Sequence, residues 1–244
     1  MSTTYLWTFP ISNGMDEQIR INRYLALHGI ATRRDADKLI SAGKVIINGY
    51  KAVLGDKVTE QDKVEVLGRP TKKLVYYAYN KPRGVITHSP QNGEKDVLTS
   101  SKLKGVFPIG RLDKDSEGLL ILTNDGRITD RLLSPNYTHE KEYLVKTRVP
   151  IKQFHMNVME GGMEIEGDTT KPCIAKMLSE DSFKIILTEG KKHQIRRMCD
   201  HLNLPIDSLK RVRIMNIRVD GIKSNDYKEI LGDELKDFLK SLGL

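Results

Sequence analysis

Residues 110 to 126, GRLDKDSEGLLILTNDG, place an arginine and an aspartate at the start of an apolar run. Arg111 and Asp113 flank a single leucine, and leucine and isoleucine dominate the residues that follow. Such a pair is most often part of an exposed turn with a weak ion pair. Beside an apolar strand, in contrast, an aspartate lies in a water-poor site and needs a cation to remain ionised. A poorly hydrated carboxylate is a serviceable nucleophile, which makes Asp113 a candidate catalytic residue.

The candidate cation is Arg196, in the segment EGKKHQIRRMCDHL (189–202). If this segment is helical, four apolar residues lie on its inner face. They are Ile195, Met198, Cys199 and Leu202. Arg196 lies next to that face, where it either pairs with Asp200 one turn later or reaches a partner elsewhere. Residues 183–213 also carry eight Lys or Arg against three Asp or Glu, a surplus that indicates a nearby polyanion such as RNA or DNA.

A tyrosine is the third candidate. Tyr143 lies in HEKEYLVKT (139–147), where strand alternation puts Tyr143 and Val145 on one face and Leu144 on the other. A tyrosine packed in the core or against a neighbouring strand is the ordinary interpretation. A ring that stacks on a base extruded from RNA is the functional one.

The remaining composition narrows the classes of function. The sequence contains no P-loop, GxGxxG, HExxH or GxSxG motif. The only two cysteines lack CxxC spacing, which argues against a zinc site or disulfide framework and favours a cytoplasmic protein. No apolar run reaches membrane length, and the N-terminal residues lack the pattern of a secretion signal. A net charge of +8 is consistent with a nucleic-acid partner.

The N-terminal part predicts a small basic module. Residues 1–17 lack periodicity and predict a mobile extension, and residues 18–67 predict two helices followed by hairpin strands. Thr32 and Asp35 form a start signal for the second helix, and Asn48-Gly49 is a strong hairpin turn signal. The basic residues of the two predicted helices are Arg20, Arg23, Arg33, Arg34 and Lys38.

Residues 68–74, GRPTKKL, predict a linker, because proline, glycine and adjacent lysines interrupt the pattern. Strand-like and helix-like runs then alternate through residues 75–244. This mixture predicts an α+β fold: a small N-terminal domain, then a larger domain built on a mixed, mainly antiparallel sheet with flanking helices.

These features together resemble the RsuA-type branch of the bacterial ribosomal RNA pseudouridine synthases over almost the whole chain. The segment INRYLALHGIATRRDADKLISAGKVIING is similar to the S4 RNA-binding domain of that family. Four ordered segments resemble its catalytic-domain motifs: NKPRGVI, FPIGRLDKDSEGLLILTNDG, HEKEYLV and GKKHQIRRM. The later LKRVRIMNIRVDGI resembles the RluF-like subgroup, which acts on large-subunit rRNA. In GKKHQIRRM, lysines replace the glycine-arginine more common in the family before HQIRR, with the basic character kept.

The resemblance implies roles for the candidate residues. Asp113 would be the catalytic aspartate, with Arg196 pairing with it to keep it ionised. Tyr143 would pack against the target base and assist proton removal. Arg111 would help to hold the RNA around the vacated base position, and a residue near IILTEG or Ile195 would form the apolar wall of the pocket. Further RNA contacts are expected from the N-terminal basic residues and from Lys191, Lys192, His193 and Arg197.

The expected reaction converts uridine to pseudouridine: the N1–C1′ bond breaks, the base turns, and a C5–C1′ bond forms. The resemblance implies neither metal nor organic cofactor, because the reaction is redox-neutral and the nucleotide supplies every atom. The target base must leave its stack, and RNA contacts would offset that cost. The expected target is a uridine of large-subunit (23S) ribosomal RNA, with small-subunit rRNA or tRNA as alternatives. A monomer with no membrane contact is expected.

A second hypothesis is a non-catalytic RNA-binding protein of ribosome assembly. The presence of Asp113, Tyr143 and Arg196 together distinguishes the two hypotheses, because a protein that only binds RNA has no need of all three.

Overall fold

The computed structural model describes residues 5–6, 18–59, 61–67, 73–91, 93–134 and 136–244. Most of the predicted extension (1–17) and residues 68–72 of the predicted linker lie outside the described residues. The chain forms two compact units, the first comprising residues 1–74 and 124–130 and the second residues 75–123 and 131–244.

The first unit contains two short helices and short strands. Its helices are α1 (Ile21–Leu27) and α2 (Arg33–Ser41), and its strands are β1 (Tyr5–Leu6), β2 (Ile19–Arg20), β3 (Val45–Ile47), β4 (Tyr50–Lys51), β5 (Lys57–Val58) and β6 (Val64–Val66). The Thr32 side chain accepts a hydrogen bond from the Asp35 backbone at 3.1 Å, as the start signal of α2 predicts. Asn48 and Gly49 both have positive φ, which gives the predicted tight turn between β3 and β4.

The hairpin strands predicted after the two helices are confirmed for β3 and β4 but not for β5 and β6. β5 pairs with β2, and β6 pairs with β3 and β1, so β5 and β6 do not form a hairpin with each other. The strands enclose the apolar faces of α1 and α2, and Ile21, Leu25, Ala36 and Ile40 are buried there. The expected helix–helix–hairpin module is therefore present as a unit with its own core.

The second unit is built on a nine-stranded sheet. Its central path runs β13 (Ile174–Ser179), β14 (Ser182–Leu187), β10 (Lys141–Thr147), β15 (Ile206–Ile214), β9 (Glu117–Thr123), β7 (Tyr76–Lys81) and β17 (Tyr227–Glu229). Two short strands pair beside this path, β8 (Phe107–Ile109) with β9 and β16 (Ile217–Arg218) with β15. All of these pairs are antiparallel except β15 with β9. The predicted α+β fold with a mixed, mainly antiparallel sheet is confirmed.

The remaining elements of the described residues are five helices and one separate hairpin. The helices are α3 (Val97–Ser101), α4 (Arg127–Leu133), α5 (Gln153–Gly161), α6 (Gln194–His201) and α7 (Gly232–Ser241). The hairpin pairs β11 (Glu164–Ile165) with β12 (Asp168–Thr169). The inner face predicted for α6 is confirmed, because Ile195, Met198 and Cys199 are buried and Leu202 packs beside them against β10 and β14.

One glycine is required where β9 meets β15. Gly118 has a φ of +105°, and a Cβ atom there would overlap the Arg211 carbonyl oxygen and lie 2.8 Å from the Arg211 backbone nitrogen. The parallel pairing of these strands, which joins the two halves of the sheet, therefore depends on the missing side chain.

Gly118→Ala is expected to lower the free energy of unfolding by about 3 kcal/mol or more, because it adds a backbone clash to an unfavourable φ. Gly221→Ala is the matched control, since Gly221 has a φ of +75° but no atom near its would-be Cβ. That control should cost about 1 kcal/mol. Urea unfolding of both variants measures the difference, and equal losses would contradict the close approach of the two strands.

Candidate active site

The candidate nucleophile lies on a tight turn that leads into β9. The Ser116 backbone N–H donates to the Asp113 carbonyl oxygen at 3.1 Å, which closes the turn. Ser116 is buried at the start of the apolar strand, whereas the Asp113 side chain is 37% exposed. The carboxylate is therefore presented to the surface from a turn whose end is anchored in the core.

The segment NKPRGVIT (80–87) holds this turn from both sides. On one side, the buried Thr87 hydroxyl donates to the Leu112 carbonyl oxygen at 2.7 Å and accepts from the Leu112 N–H at 3.0 Å. On the other side, the Gly84 N–H donates to the Lys114 carbonyl oxygen at 2.8 Å. These contacts fix the backbone before and after Asp113, which gives a physical reason for the NKPRGVI motif.

A buried lysine completes the support. Lys81 is fully buried, and its Nζ donates to the carbonyl oxygens of Pro82, Lys114 and Ser116 at 3.1, 3.4 and 2.7 Å. Burial lowers the pKa of Lys81 to about 8, and the negative charge of Asp113 opposes that shift. The ammonium group thus satisfies carbonyl groups of the turn that bears Asp113.

The Asp113 carboxylate lies between two side chains of the 189–202 segment. Arg196 Nε lies 3.5 Å from Oδ2, and His193 Nε2 lies 3.3 Å from Oδ1. Arg196 Nη2 also donates to the Ser116 hydroxyl at 2.9 Å, so one guanidinium contacts both ends of the turn. No ion pair joins Arg196 to Asp200 in the described part of the chain, so the partner of Arg196 is Asp113.

The backbone at the start of α6 positions the His193 and Arg196 side chains. His193 is in the left-handed conformation (φ 52°), which is uncommon for a residue other than glycine. The buried Gln194 side chain fixes the preceding loop: it accepts from the Lys191 N–H at 3.1 Å and donates to Glu189 at 2.6 Å. Backbone strain at His193 is thus held by the surrounding bonds, as occurs at functional sites.

Tyr143 lies on the same face of the sheet, in one row with the residues beneath the turn. Lys81 pairs with Gly118, Gly118 with Arg211, and Arg211 with Tyr143. At a strand spacing of about 4.8 Å, Tyr143 is about 10 Å across the sheet from β9. Its ring packs against the cluster that contains Ile185 and Ile195, the region in which the apolar wall was expected. Among the described residues, no hydrogen bond joins Tyr143 to Asp113.

The residues predicted to contact RNA differ in their surroundings. Arg111 and Lys192 are exposed, and neither has an ion-pair partner within the described ranges. Lys191 and Arg197, in contrast, already pair with carboxylates of the β11–β12 hairpin. In the first unit, all five predicted basic residues are exposed, and Lys38 pairs with Asp35 at 3.4 Å.

Four residues of the site were not predicted from the sequence: Lys81, Thr87, Ser116 and Gln194. Lys81, Thr87 and Ser116 contact backbone groups or a side chain distant in sequence, and Gln194 contacts the loop just before it, so hydrophobic periodicity reveals none of the four. One signal was available for Lys81, which ends a strand-like run. A lysine buried at such a position requires polar partners, so it indicates polar groups nearby.

Two absences apply to the described residues only. They contain no helix long and apolar enough to span a membrane. They also contain no group of three His, Cys, Asp or Glu side chains arranged to hold a metal ion.

Comparisons with known proteins identify the class to which this fold and site belong. The family model described as RNA pseudouridylate synthase matches residues 75–201, and the S4 domain model matches residues 19–64. The chain is 40% identical to "Dual-specificity RNA pseudouridine synthase RluF" of Escherichia coli (strain K12) over 232 residues, which cover 92% of this chain and 80% of that protein.

A second relative and a solved structure agree with this match. The chain is 35% identical over 230 residues to "Ribosomal large subunit pseudouridine synthase B" of Bacillus subtilis (strain 168), with 89% of this chain and 94% of that protein covered. A solved structure titled "Crystal structure of pseudouridylate synthase" superposes with a TM-score of 0.67 at 25% identity, covering 92% of this chain and 99% of that one.

The chain belongs to the RNA pseudouridylate synthase family, in its RsuA-type branch with an N-terminal S4 domain. It is an RNA pseudouridine synthase of the RluF type. The expected enzyme class is therefore confirmed, and the alternative of a non-catalytic RNA-binding protein is wrong.

The buried lysine gives a prediction for the pH dependence of stability. Between pH 8 and 10.5 the unfolded chain binds more protons at Lys81 than the folded chain, because folding lowers its pKa from 10.5 to about 8. Over that window the free energy of unfolding of the wild type should rise relative to that of Lys81→Met, by about 3 kcal/mol in total.

Urea unfolding of both proteins across this pH range measures the difference. Lys223→Met, at an exposed lysine, is the control and should follow the wild type. A constant difference between wild type and Lys81→Met would show that Lys81 does not titrate in this window.

Proposed function

We propose that this enzyme isomerises a specific uridine of large-subunit (23S) ribosomal RNA and that Asp113 is its catalytic aspartate. The observation that carries the proposal is the placement of the Asp113 carboxylate between Arg196 and His193, on a turn that Lys81 and Thr87 hold in position. A carboxylate with fixed backbone and a cationic partner is preorganised for nucleophilic or proton-transfer chemistry.

The roles of the neighbours follow from their positions. Arg196 forms a charge-assisted contact with the Asp113 carboxylate and, through Ser116, fixes its orientation. Tyr143 supplies an aromatic face on the sheet beside the turn, against which an extruded uracil stacks. Attack by Asp113 on the base, attack on the sugar, and proton abstraction leading to a glycal all require the ionised carboxylate at this position.

The names of the relatives support the choice of target. One relative is called a ribosomal large-subunit pseudouridine synthase, which supports large-subunit RNA as the substrate. The other is called dual-specificity, which supports a second target beside it. Small-subunit rRNA and tRNA are the alternative substrates, and both are therefore tested beside 23S rRNA.

We also propose the domain roles expected from the sequence. Residues 18–67 act as the RNA-binding domain, residues 68–74 as a linker, and residues 75–244 as the catalytic domain. Exposed Arg20, Arg23, Arg33 and Arg34 have no ion-pair partner within the described ranges, which leaves them available for phosphate groups. Arg111 contributes a further exposed cation two residues from Asp113.

Asp113→Asn tests the catalytic role. The amide has nearly the size of the carboxylate, so folding and RNA binding should persist while pseudouridine formation falls by at least about 1,000-fold. The assay maps pseudouridine in unmodified 23S rRNA, 16S rRNA and tRNA after incubation with each protein.

The wild type should modify 23S rRNA at a discrete position. Turnover by Asp113→Asn near the wild-type rate would remove Asp113 from catalysis. Modification of 16S rRNA or tRNA without 23S rRNA would refute the proposed target.

A further inference from the structure

The β11–β12 hairpin presents two carboxylates to the basic start of α6. Asp168 Oδ1 lies 2.5 Å from Lys191 Nζ, which also donates to the Thr169 carbonyl oxygen at 2.6 Å. Glu166 Oε2 lies 3.2 Å from Arg197 Nη1, and Asp168 Oδ2 lies 3.7 Å from Arg197 Nη2. The hairpin therefore neutralises Lys191 and Arg197, two cations predicted from the sequence to contact RNA.

The hairpin is built to hold its acidic residues in place. Ile165 is buried in the core, and the Met163 N–H donates to the Thr170 hydroxyl at 3.0 Å at the base of the hairpin. Its turn residue Glu166 has a φ of 54°, a left-handed conformation that favours glycine or asparagine. Gly167 also has a positive φ, so the two residues form the tight turn of the hairpin and place the Glu166 carboxylate at its tip.

The ion pairs are nevertheless suited to exchange. The carboxylates are exposed (72% for Glu166 and 47% for Asp168), and pairs of this kind contribute little stability. Arg197 contacts two separate carboxylates through its terminal nitrogens, while its buried Nε has no hydrogen-bond partner among the described residues. One tetrahedral anion in place of the two carboxylates accepts from both terminal nitrogens of Arg197, a paired geometry that guanidinium groups favour.

The surrounding space links these groups to the catalytic carboxylate. A pocket of about 540 Å³ is lined by Glu166, Asp168, Lys191, Lys192, His193 and Arg197. The His193 ring, which lies on this pocket, is also the group 3.3 Å from Asp113 Oδ1. An anion bound in the pocket is thus separated from Asp113 by a single side chain.

We infer that the pocket binds a phosphodiester group of the RNA next to the target uridine, and that Glu166 and Asp168 occupy its cations in the free protein. RNA binding then exchanges two carboxylates for a phosphate on Lys191 and Arg197. The exchange makes affinity depend on a phosphate placed correctly, so that the hairpin lowers binding to RNA of other shapes. The inference rests on the proposed function in one respect, that RNA is bound at Asp113.

The test compares Glu166→Gln/Asp168→Asn with wild type. The matched control is Asp220→Asn/Asp237→Asn, which changes the net charge equally at two exposed sites outside the pocket. Fluorescence anisotropy measures binding to a 23S fragment that the wild type modifies and to a cytidine oligomer that contains no uridine. Both are titrated at several salt concentrations, and pseudouridine formation in the fragment is followed alongside.

The hairpin variant should bind the cytidine oligomer roughly 3–10-fold more tightly than wild type, because each removed carboxylate frees a cation from a weak pair. Its gain in affinity for the 23S fragment should be smaller. The variant should therefore prefer the 23S fragment over the cytidine oligomer less strongly than the wild type does. Its affinity should also fall more steeply with salt. Glu166→Gln alone changes the more exposed of the two acids, so it should leave the fold intact. It should give part of the gain in affinity and part of the steeper salt dependence.

Equal affinities of the hairpin variant and the control double variant would overturn the inference. Weaker RNA binding by the hairpin variant would also overturn it, because the carboxylates would then brace α6 instead of competing with RNA. A wild type that forms no pseudouridine in 23S RNA would refute the proposed function, while the binding comparison with the cytidine oligomer would still decide the role of the hairpin.

Discussion

The ion pair between Asp113 and Arg196 joins two segments that are far apart in the sequence. Arg196 lies on a helix whose inner face is buried against β10 and β14, while Asp113 precedes β9 on the other side of β15. Nothing local brings these residues together, so the order of strands in the sheet determines whether the pair forms. The chemistry of the site therefore depends on the central parallel contact between β9 and β15, where Gly118 allows the backbones to approach.

The same arrangement explains why polar groups are buried beneath the carboxylate. A turn at the mouth of an apolar strand leaves carbonyl groups without partners, and Lys81, Gly84 and Thr87 supply donors to them. The lysine also places a positive charge under Asp113, at the cost of its own desolvation. One short segment thus contributes both backbone support and electrostatic support, and Arg196 adds a hydrogen bond to the Ser116 hydroxyl.

The sequence was informative where periodicity or an unusual residue pattern carried the signal. The inner face of α6, the Asn48-Gly49 turn and the apolar strand after Asp113 were all predicted, because each follows from local spacing. The edge strand β13 was not predicted, because Ile174 and Leu178 are exposed while the smaller Ala175 is buried. Its apolar residues therefore give the wrong alternation for a strand packed on one face.

The residues of the site likewise divide into those that local sequence patterns predict and those that they do not. Asp113 and Arg196 were selected as candidates from charge next to apolar patterns, and the structure places them 3.5 Å apart. The intramolecular partners of Lys191 and Arg197 were missed, because a two-residue-strand hairpin gives almost no periodic signal and its carboxylates reach α6 only in three dimensions. Contacts of this kind depend on tertiary structure, and local sequence patterns do not encode them.

The dependence of catalysis on the Asp113–Arg196 pair is tested by the single-turnover rate of Arg196→Ala at saturating enzyme, because that condition removes RNA affinity from the measured rate. Arg197→Ala is the control for a neighbouring cation that does not contact Asp113. Asp200→Ala is the control for the alternative in which Arg196 pairs with Asp200 on its own helix. We expect Arg196→Ala to lose at least about 100-fold in rate, Arg197→Ala to lose much less, and Asp200→Ala to stay near the wild-type rate. Near-wild-type rates for both Arg196→Ala and Asp200→Ala would contradict the central role of the Asp113–Arg196 pair.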